Sequence, residues 1–276
     1  MADCVYCGEP AGLLRKRHKD CEEKAQRGRQ EILDAAMEAI KAPDQLGALT
    51  GRIETIEEHR RVPVGERQGL LVSAWEKSVD NILEDGLLDQ NEEQRLVQFR
   101  EQYGLSQDTL NSRGAFFKVA KAAVLRDVLS GSVPNRVKLE GGPNINFQKG
   151  EQVVWAFPGS EYLEDRVRRQ YVGGSQGMSF RIMKGVYYRV GAFKGEAVET
   201  TERAKIDDGM TVITNKHIYF AGSRKSVRVP YSKIISFEPY SNGIGVMGDA
   251  ASAKPQIFVT GDGWFTYNLV VNLAKL

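Results

Sequence analysis

The residues best suited to chemistry lie within the first 21 positions. The chain has three cysteines, Cys4, Cys7 and Cys21, and His18 lies three residues before the last of them. Zinc in proteins prefers four thiolate or imidazole ligands arranged as a tetrahedron, with closely spaced pairs offered by a turn or a helix start. The Cys-x2-Cys and His-x2-Cys spacings meet that requirement. We therefore predict one structural zinc ion bound by Cys4, Cys7, His18 and Cys21.

The residues around these ligands support the same interpretation. Gly8 follows the second cysteine and suits the turn of a metal knuckle, and His18 and Cys21 are spaced to share one face of a first helical turn. The alternatives are free thiols at a flexible terminus or a disulfide, which a reducing cytoplasm disfavours. With these ligands, residues 1–25 look like a small zinc ribbon or treble clef.

A basic cluster lies between the two ligand pairs, where residues 15–19 read Arg-Lys-Arg-His-Lys. Such a cluster could contact the phosphates of a nucleic acid. It is short, however, and no aromatic residues that could stack on bases accompany it. A solvated face on a small metal module is favoured, and nucleic-acid binding is kept as an alternative function.

The remaining histidines do not suggest a catalytic site. His59 lies in a charged run, His217 lies in a β-hairpin, and all three cysteines are assigned to the metal. A catalytic zinc keeps an open position beside three protein ligands, whereas four good ligands predict a closed structural site. The glycine-rich run 173–177 precedes a strand and not a helix, so it does not fit a phosphate-binding loop. We predict a non-enzyme, and the alternative is a hydrolase with an unrecognised site.

Length and charge bound the partners. The chain has 276 residues and a net charge of +2, enough for two or three domains. Residues 131–276 carry 19 basic against 13 acidic side chains, whereas residues 1–130 carry 19 against 23. The second part therefore favours an anionic partner. The absence of a long apolar run and of a secretory signal predicts a cytoplasmic protein, with peripheral attachment to the membrane as an alternative.

Residues 26–132 carry apolar side chains at helical spacing in several stretches, which predicts a helical bundle. Gly86 ends one helix, and Asp89 and Glu92 form a capping box for the next, which explains this segment better than a calcium-binding loop does. The Asp-Gly turn, the capped acidic helix start and the later Tyr-Gly-Leu-Ser resemble the TerB-like helical family. That family is linked to tellurite and stress resistance, and the resemblance covers about residues 70–130.

Residues 133–149 are rich in turn formers and predict a linker, and residues 150–276 predict a strand-rich domain. Short β-branched runs separated by turns predict an antiparallel sheet that closes on itself. A tight hairpin is expected at Asn215 and Lys216, and a short basic helix over residues 161–171. The last residues carry an apolar stripe at helical spacing, which predicts a C-terminal amphipathic helix.

Two segments of this domain, Val212-Ile-Thr-Asn-Lys-His-Ile-Tyr-Phe and Val229-Pro-Tyr-Ser-Lys-Ile-Ile, resemble the pleckstrin-homology superfold in its bacterial, GRAM-like form. The resemblance covers about residues 150–276 and implies a β-barrel covered at one end by the helix. The expected class is α+β and multidomain: zinc module, TerB-like bundle and pleckstrin-homology-like barrel. The resemblance to these families implies a bacterial adaptor or sensor in a stress or phage-related response. It also implies that homo-oligomers could form through sheet edges.

Candidate anion-binding residues are identified from their positive charge and from the alternation of side chains along a strand. In residues 223–230, strand alternation places Arg224 and Arg228 toward solvent and the intervening valines toward the core. Arg168 and Arg169 on the expected basic helix would extend that surface. These arginines predict weak binding of anionic lipid, although the basic motif typical of phosphoinositide-binding pleckstrin-homology domains is absent. Solubilising charge is the alternative, and a protein partner is the main expectation.

Overall fold

The computed structural model describes residues 2–12, 15–140, 145–172, 175–183, 186–193, 196–251 and 253–276. Of Asp85 and of residues 166–202 it describes the backbone alone. The chain divides into two compact units, Met1–Ser130 and Gly131–Leu276. The first is helical and the second is built on an antiparallel sheet, so the α+β class is confirmed.

Helices account for most of the first unit. They are α1 (Lys19–Lys41), α2 (Leu46–Arg60), α3 (Arg67–Ile82), α4 (Gln90–Gln102), α5 (Gln107–Leu110) and α6 (Ala115–Leu129). Their apolar faces meet in one core, to which α1 contributes Ile32 and Ile40 and α3 contributes Trp75. The indole N–H of Trp75 donates to the Leu96 carbonyl at 3.1 Å, so this buried ring has its polar atom satisfied.

The predicted helix ends are confirmed in detail between α3 and α4. Gly86 adopts the left-handed conformation at φ 78°. Asp89 then accepts from the Glu92 backbone N–H at 2.8 Å, while Glu92 accepts from the Asp89 N–H at 2.9 Å. Farther along, the helical segment that follows Ser106 is divided into α5 and α6, because Gly114 lies at φ 78° between them.

Gly28 allows α1 to pack closely against the end of α2 and the residues that follow it. It is buried, and a Cβ built there would lie 2.6 Å from Val62 Cγ2 and closer still to Arg60 Cβ. Helix propensity alone would make Gly28→Ala stabilising by about 1 kcal/mol. We expect instead a loss of about 1–3 kcal/mol in the free energy of unfolding, because the packed Arg60 and Val62 side chains leave no room for a methyl group. Chemical denaturation of the purified protein measures this difference.

Gly51→Ala is the matched control, because Gly51 is an exposed residue of α2 and a Cβ added to it would have nothing within 4 Å. It should be neutral or stabilising. Equal effects of the two substitutions would contradict the close packing at Gly28.

The second unit contains a seven-stranded antiparallel sheet and a two-stranded pair. The strands are β1 (Val153–Val172), β2 (Ser175–Met183), β3 (Val186–Phe193), β4 (Glu196–Thr214), β5 (His217–Gly222), β6 (Ser226–Pro230), β7 (Ile234–Tyr240), β8 (Gly243–Gly248) and β9 (Gln256–Val259). The order in the large sheet is β6-β5-β4-β1-β9-β8-β7, and β2 pairs with β3. The predicted hairpin at Asn215 and Lys216 is confirmed as the β4–β5 turn.

Closure of the sheet is the first correction to the sequence-based prediction. β6 and β7 are the two outer strands, and no ladder joins them in the part of the chain that the structure describes. The sheet is therefore open, and the predicted closed barrel is not formed. The helix α7 (Gly263–Leu273) follows as expected and buries Phe265, Leu269 and Leu273 against the sheet, while Leu276 remains exposed.

The short basic helix expected over residues 161–171 is wrong, because this segment continues β1. Tyr162 is fully buried and stacks on Phe220 at a centroid distance of 5.2 Å, and Ser160 Oγ lies 2.8 Å from Thr211 Oγ1. Strand alternation buries both residues on one face. Acidic residues of this segment pair with β4 instead, where Lys205 Nζ contacts Glu161 Oε1 at 2.7 Å and Arg203 Nε contacts Asp165 Oδ1 at 3.6 Å.

Candidate metal centre

A tight N-terminal turn brings Cys4 and Cys7 together. The Gly8 N–H donates to the Cys4 carbonyl at 2.8 Å, and the Cys4 N–H donates to the Glu9 carbonyl at 2.7 Å. Gly8 has φ 75°, a conformation that a side chain would disfavour. An antiparallel bridge between Asp3 and Pro10 closes the loop. The turn therefore presents two thiols from one short segment, as the Cys-x2-Cys spacing predicts.

The second pair of ligands comes from the start of α1. His18 is the residue before the helix, with ψ 145°, and Cys21 lies in its first turn. His18 Nδ1 lies 3.4 Å from Cys7 Sγ and 3.8 Å from Cys21 Sγ. The ligand atoms of Cys4, Cys7, His18 and Cys21 all lie within 4.8 Å of one another. The structure thus brings together all four predicted ligands.

These distances fit a tetrahedral metal ion. Zn–S and Zn–N bonds of about 2.3 and 2.0 Å at tetrahedral angles place sulfur and nitrogen about 3.5 Å apart. The two distances from the His18 nitrogen bracket that value. His18 Nε2 lies 3.2 Å from the Pro10 carbonyl, which can only accept, so Nε2 carries the proton and Nδ1 is left free as a ligand. The residues therefore fit a soft divalent ion such as zinc.

The electrostatics of the thiols also favour a cation. Although burial opposes ionisation of Cys4, backbone N–H groups of His18, Tyr6 and Cys7 lower its pKa to about 6. Burial and the neighbouring Cys7 and Cys4 raise the pKa of Cys21. Ionised sulfurs this close repel one another, and a divalent ion would remove that repulsion.

Contacts between the metal module and the helices were not predicted. Arg29 of α1 donates to Glu66 through Nε at 2.5 Å and to the Tyr6 hydroxyl through Nη2 at 3.1 Å. Arg61 Nη1 lies 3.6 Å from Cys21 Sγ. These partners are separated by 23 to 40 positions. Sequence spacing holds no information about such pairs, so only the folded chain reveals them.

The basic cluster between the ligands is partly neutralised. Arg17 Nη1 contacts Glu22 Oε1 at 2.7 Å, and Lys19 Nζ contacts Glu23 Oε1 at 3.7 Å. Both acidic partners lie on α1. Arg15 and Lys16 are exposed. This pairing reduces the positive field that a nucleic-acid backbone would meet.

The structure describes the side chains of two of the four candidate anion-binding arginines. Arg224 is exposed, but its Nε lies 3.2 Å from Asp207 Oδ1. Arg228 is exposed and forms no ion pair with any residue that the structure describes. Arg168 and Arg169 lie outside the described side chains, and their backbones pair with Thr200 and Glu199 in β4. The structure does not place the four on one surface.

The two remaining histidines each have a hydrogen-bond partner. His59 Nδ1 lies 2.8 Å from the Thr55 carbonyl one helical turn earlier, at an exposed position. His217 is buried, and its Nδ1 lies 2.6 Å from Glu151 Oε1. Tyr219 and Thr214 donate hydroxyl hydrogen bonds to the same carboxylate, at 2.7 and 2.8 Å. His217 is visible as a candidate in the sequence, but its partner Glu151 is not, because these residues lie more than 60 positions apart.

Comparison with known proteins found no similar protein. No protein-family model matches the chain, and neither the curated proteins nor the solved structures give a significant match. Among the residues that the structure describes, no helix combines the length and the apolar character needed to cross a bilayer.

Proposed function

We propose that the Cys4, Cys7, His18 and Cys21 cluster holds a structural zinc ion. The observation that carries this proposal is the convergence of four good ligand atoms within 4.8 Å. Four protein ligands complete a tetrahedron and leave no position for a substrate or a reactive water. Cys4 is also almost fully buried, as a folding site requires and an open catalytic site does not. The ion would therefore stabilise the fold of the first unit and would take no part in catalysis.

The whole chain, on this proposal, is a non-enzymatic adaptor or sensor. Its buried acid–histidine contact, Glu151 with His217, is engaged by Tyr219 and Thr214, so these groups hold the fold together. The strand order β6-β5-β4-β1-β9-β8-β7 followed by α7 supports the pleckstrin-homology-like assignment of residues 150–276. The TerB-like assignment and a role in a bacterial stress or phage-related response rest on the sequence resemblance.

The partner of the second unit is proposed to be a protein or an anionic membrane surface. The excess of basic residues in 131–276 and the exposed Arg228 support an anionic partner. Nucleic-acid binding through the zinc module is disfavoured, because Arg17 and Lys19 have acidic partners on α1. A homo-oligomer formed through the exposed edges of the open sheet belongs to the same proposal.

Elemental analysis tests the metal, and vesicle sedimentation tests the surface. Protein purified without chelator should contain about one zinc per chain. It should also be retained weakly on anionic vesicles at low salt and released at high salt, because surface attraction is screened. Protein without stoichiometric zinc would contradict the metal site. Equal retention on anionic and neutral vesicles would contradict a membrane role and leave a protein partner.

A further inference from the structure

A small pocket lies on the second unit beside the outer strand β6. It has a volume of about 240 Å³ and is lined by Asn146, Tyr219, Ser226, Arg228 and the apolar residues between them. Residues preceding β1 form its other side, where the Phe147 ring meets Tyr219 edge-on at 5.3 Å. The first four residues of β5, which begins at His217, are all buried. The segment before β1 therefore covers β5 on the side away from the core. The pocket is thus bounded by packed residues.

Arg228 is the cation of this pocket. It lies opposite Tyr219 in the register of β5 and β6. The Tyr219 hydroxyl donates to Glu151, whose side chain is fully buried, so the neighbour of Arg228 in the ladder is held in place. The structure gives the Arg228 guanidinium no carboxylate partner among the described residues. The neighbouring Arg224 and Lys225, in contrast, are paired with Asp207 and Glu164.

The edge of β6 offers backbone hydrogen bonds beside the pocket. The Gly222 N–H donates to the Lys225 carbonyl at 2.9 Å and closes the β5–β6 turn. Antiparallel ladders alternate, so Val227 and Val229 direct their backbone groups toward β5, while Ser226 and Arg228 direct theirs away from it. Because β6 ends the sheet, no strand in the described part of the chain takes up these groups. An extended peptide could pair with them.

We propose that the β6 edge and its pocket form a docking site for an extended acidic peptide segment of a partner protein. A strand added to β6 would place alternate side chains beside Arg228 and, near the turn, beside the exposed Arg224. An acidic residue at every second position complements this spacing. A bilayer is a poorer occupant, because stable attraction to lipid needs several protruding basic residues and here the unpaired cation sits in a pocket.

This inference deepens the proposed function and rests on the role of the second unit as an interaction module. The probe is a short fluorescein-labelled peptide of alternating threonine and glutamate, measured by fluorescence anisotropy at low salt on the full chain. The charge-inverted peptide contains lysine in place of glutamate. We expect the parent protein to bind the acidic peptide and not the lysine peptide.

Two variants separate the charge from the strand edge. Arg228→Gln should weaken binding about tenfold or more, because it removes a charge-assisted hydrogen bond. Ser226→Pro should also weaken binding, because it removes an outward N–H while leaving the β5–β6 ladder intact. Lys233→Gln, at an exposed lysine paired with Asp249, is the control and should bind as the parent does. The melting temperatures of all the variants are measured beside the binding curves.

The opposite results overturn the docking site. They are no binding by the parent at about 1 mM peptide, equal binding of the lysine peptide, or unchanged binding by a correctly folded Arg228→Gln variant. Retention on anionic vesicles that depends on Arg228, without peptide binding, would replace the peptide with a membrane and leave the proposed function standing. Zinc content is measured separately, so failure of the metal assignment cannot be confused with failure of the docking site.

Discussion

Removal of the proposed zinc ion should loosen the N-terminal turn and speed amide exchange in the first unit, while the second unit stays folded. The turn has few apolar residues of its own, and the proposed ion would supply most of its order. The loss should spread into the helices, because Arg29 joins Tyr6 of the turn to Glu66 before α3. Because the units have separate cores, the β-sheet should not respond. Hydrogen exchange read by mass spectrometry measures both units in one experiment.

Substitutions test whether the metal and the helices are coupled as this geometry requires. Cys7→Ser removes a thiolate ligand and should reproduce the effect of a strong chelator. Tyr6→Phe keeps all four ligands and removes only the hydroxyl that accepts from Arg29, so it should retain zinc and show a smaller loss. Faster exchange in the sheet after chelation, or unchanged exchange in residues 2–12 and α1, would contradict a structural metal in this module.

The parts of the structure that the sequence predicts are those governed by local rules. The ligand cluster follows from spacing within 21 residues, and the Asp89 capping box and the Asn215 turn follow from a few neighbouring residues. The helix expected at residues 161–171 failed because a run of charged residues also suits a long hairpin. Burial of Tyr162 against Phe220, which lies far along the chain, decided between the two structures.

Contacts between residues far apart in the chain could not be predicted from the sequence, because local rules do not specify them. Arg29 with Glu66, and Glu151 with His217, each join a charged residue to a partner 37 or more positions away. In a sequence with many charged residues, each of them has many possible ion-pair partners. Sequence spacing does not select among those partners. Openness of the sheet was missed because strand number and turn chemistry do not fix whether the outer strands β6 and β7 meet.

Replacement of Glu151 by alanine should lower the free energy of unfolding of the second unit by about 2–4 kcal/mol, as expected when buried donors lose their acceptor. The carboxylate accepts from Tyr219, Thr214 and the Gln148 N–H and contacts His217 Nδ1. It therefore ties the segment before β1 to the β4–β5 turn. Urea denaturation followed by circular dichroism in the β-sheet region measures the loss.

Glu161→Gln is the matched control for this substitution. Glu161 is also an acidic residue of the second unit, but its partner Lys205 is at the surface and both side chains are about 40% exposed. Pairs of that kind contribute about 1 kcal/mol or less. A Glu151→Ala loss no larger than the Glu161→Gln loss would show that the buried carboxylate does not organise this region.

The pH dependence of stability gives the same residue a second test. Burial opposes ionisation of Glu151, but hydrogen bonds from Tyr219, Gln148, His217 and Thr214 outweigh it and lower its pKa below the ordinary value. A lowered folded-state pKa contributes stability above the unfolded-state value of about 4.3, and this contribution is lost as the pH falls through the folded-state pKa. Glu151→Gln should therefore reduce the acid-induced loss of stability below about pH 4.5.

Part of the acid sensitivity should remain in that variant, because a second buried carboxylate also has a lowered pKa. Backbone N–H groups of Arg224 and Lys225, against an opposing effect of burial, help to hold the pKa of Asp207 at about 2. Stability that depends on Asp207 is therefore present at neutral pH and is lost as the pH falls toward 2. The Glu151→Gln curve should thus depart from the parent curve mainly between about pH 4.5 and the folded-state pKa of Glu151, and the two should decline together toward pH 2. Parallel curves over the whole range would mean that Glu151 is not the acidic group that stabilises this turn.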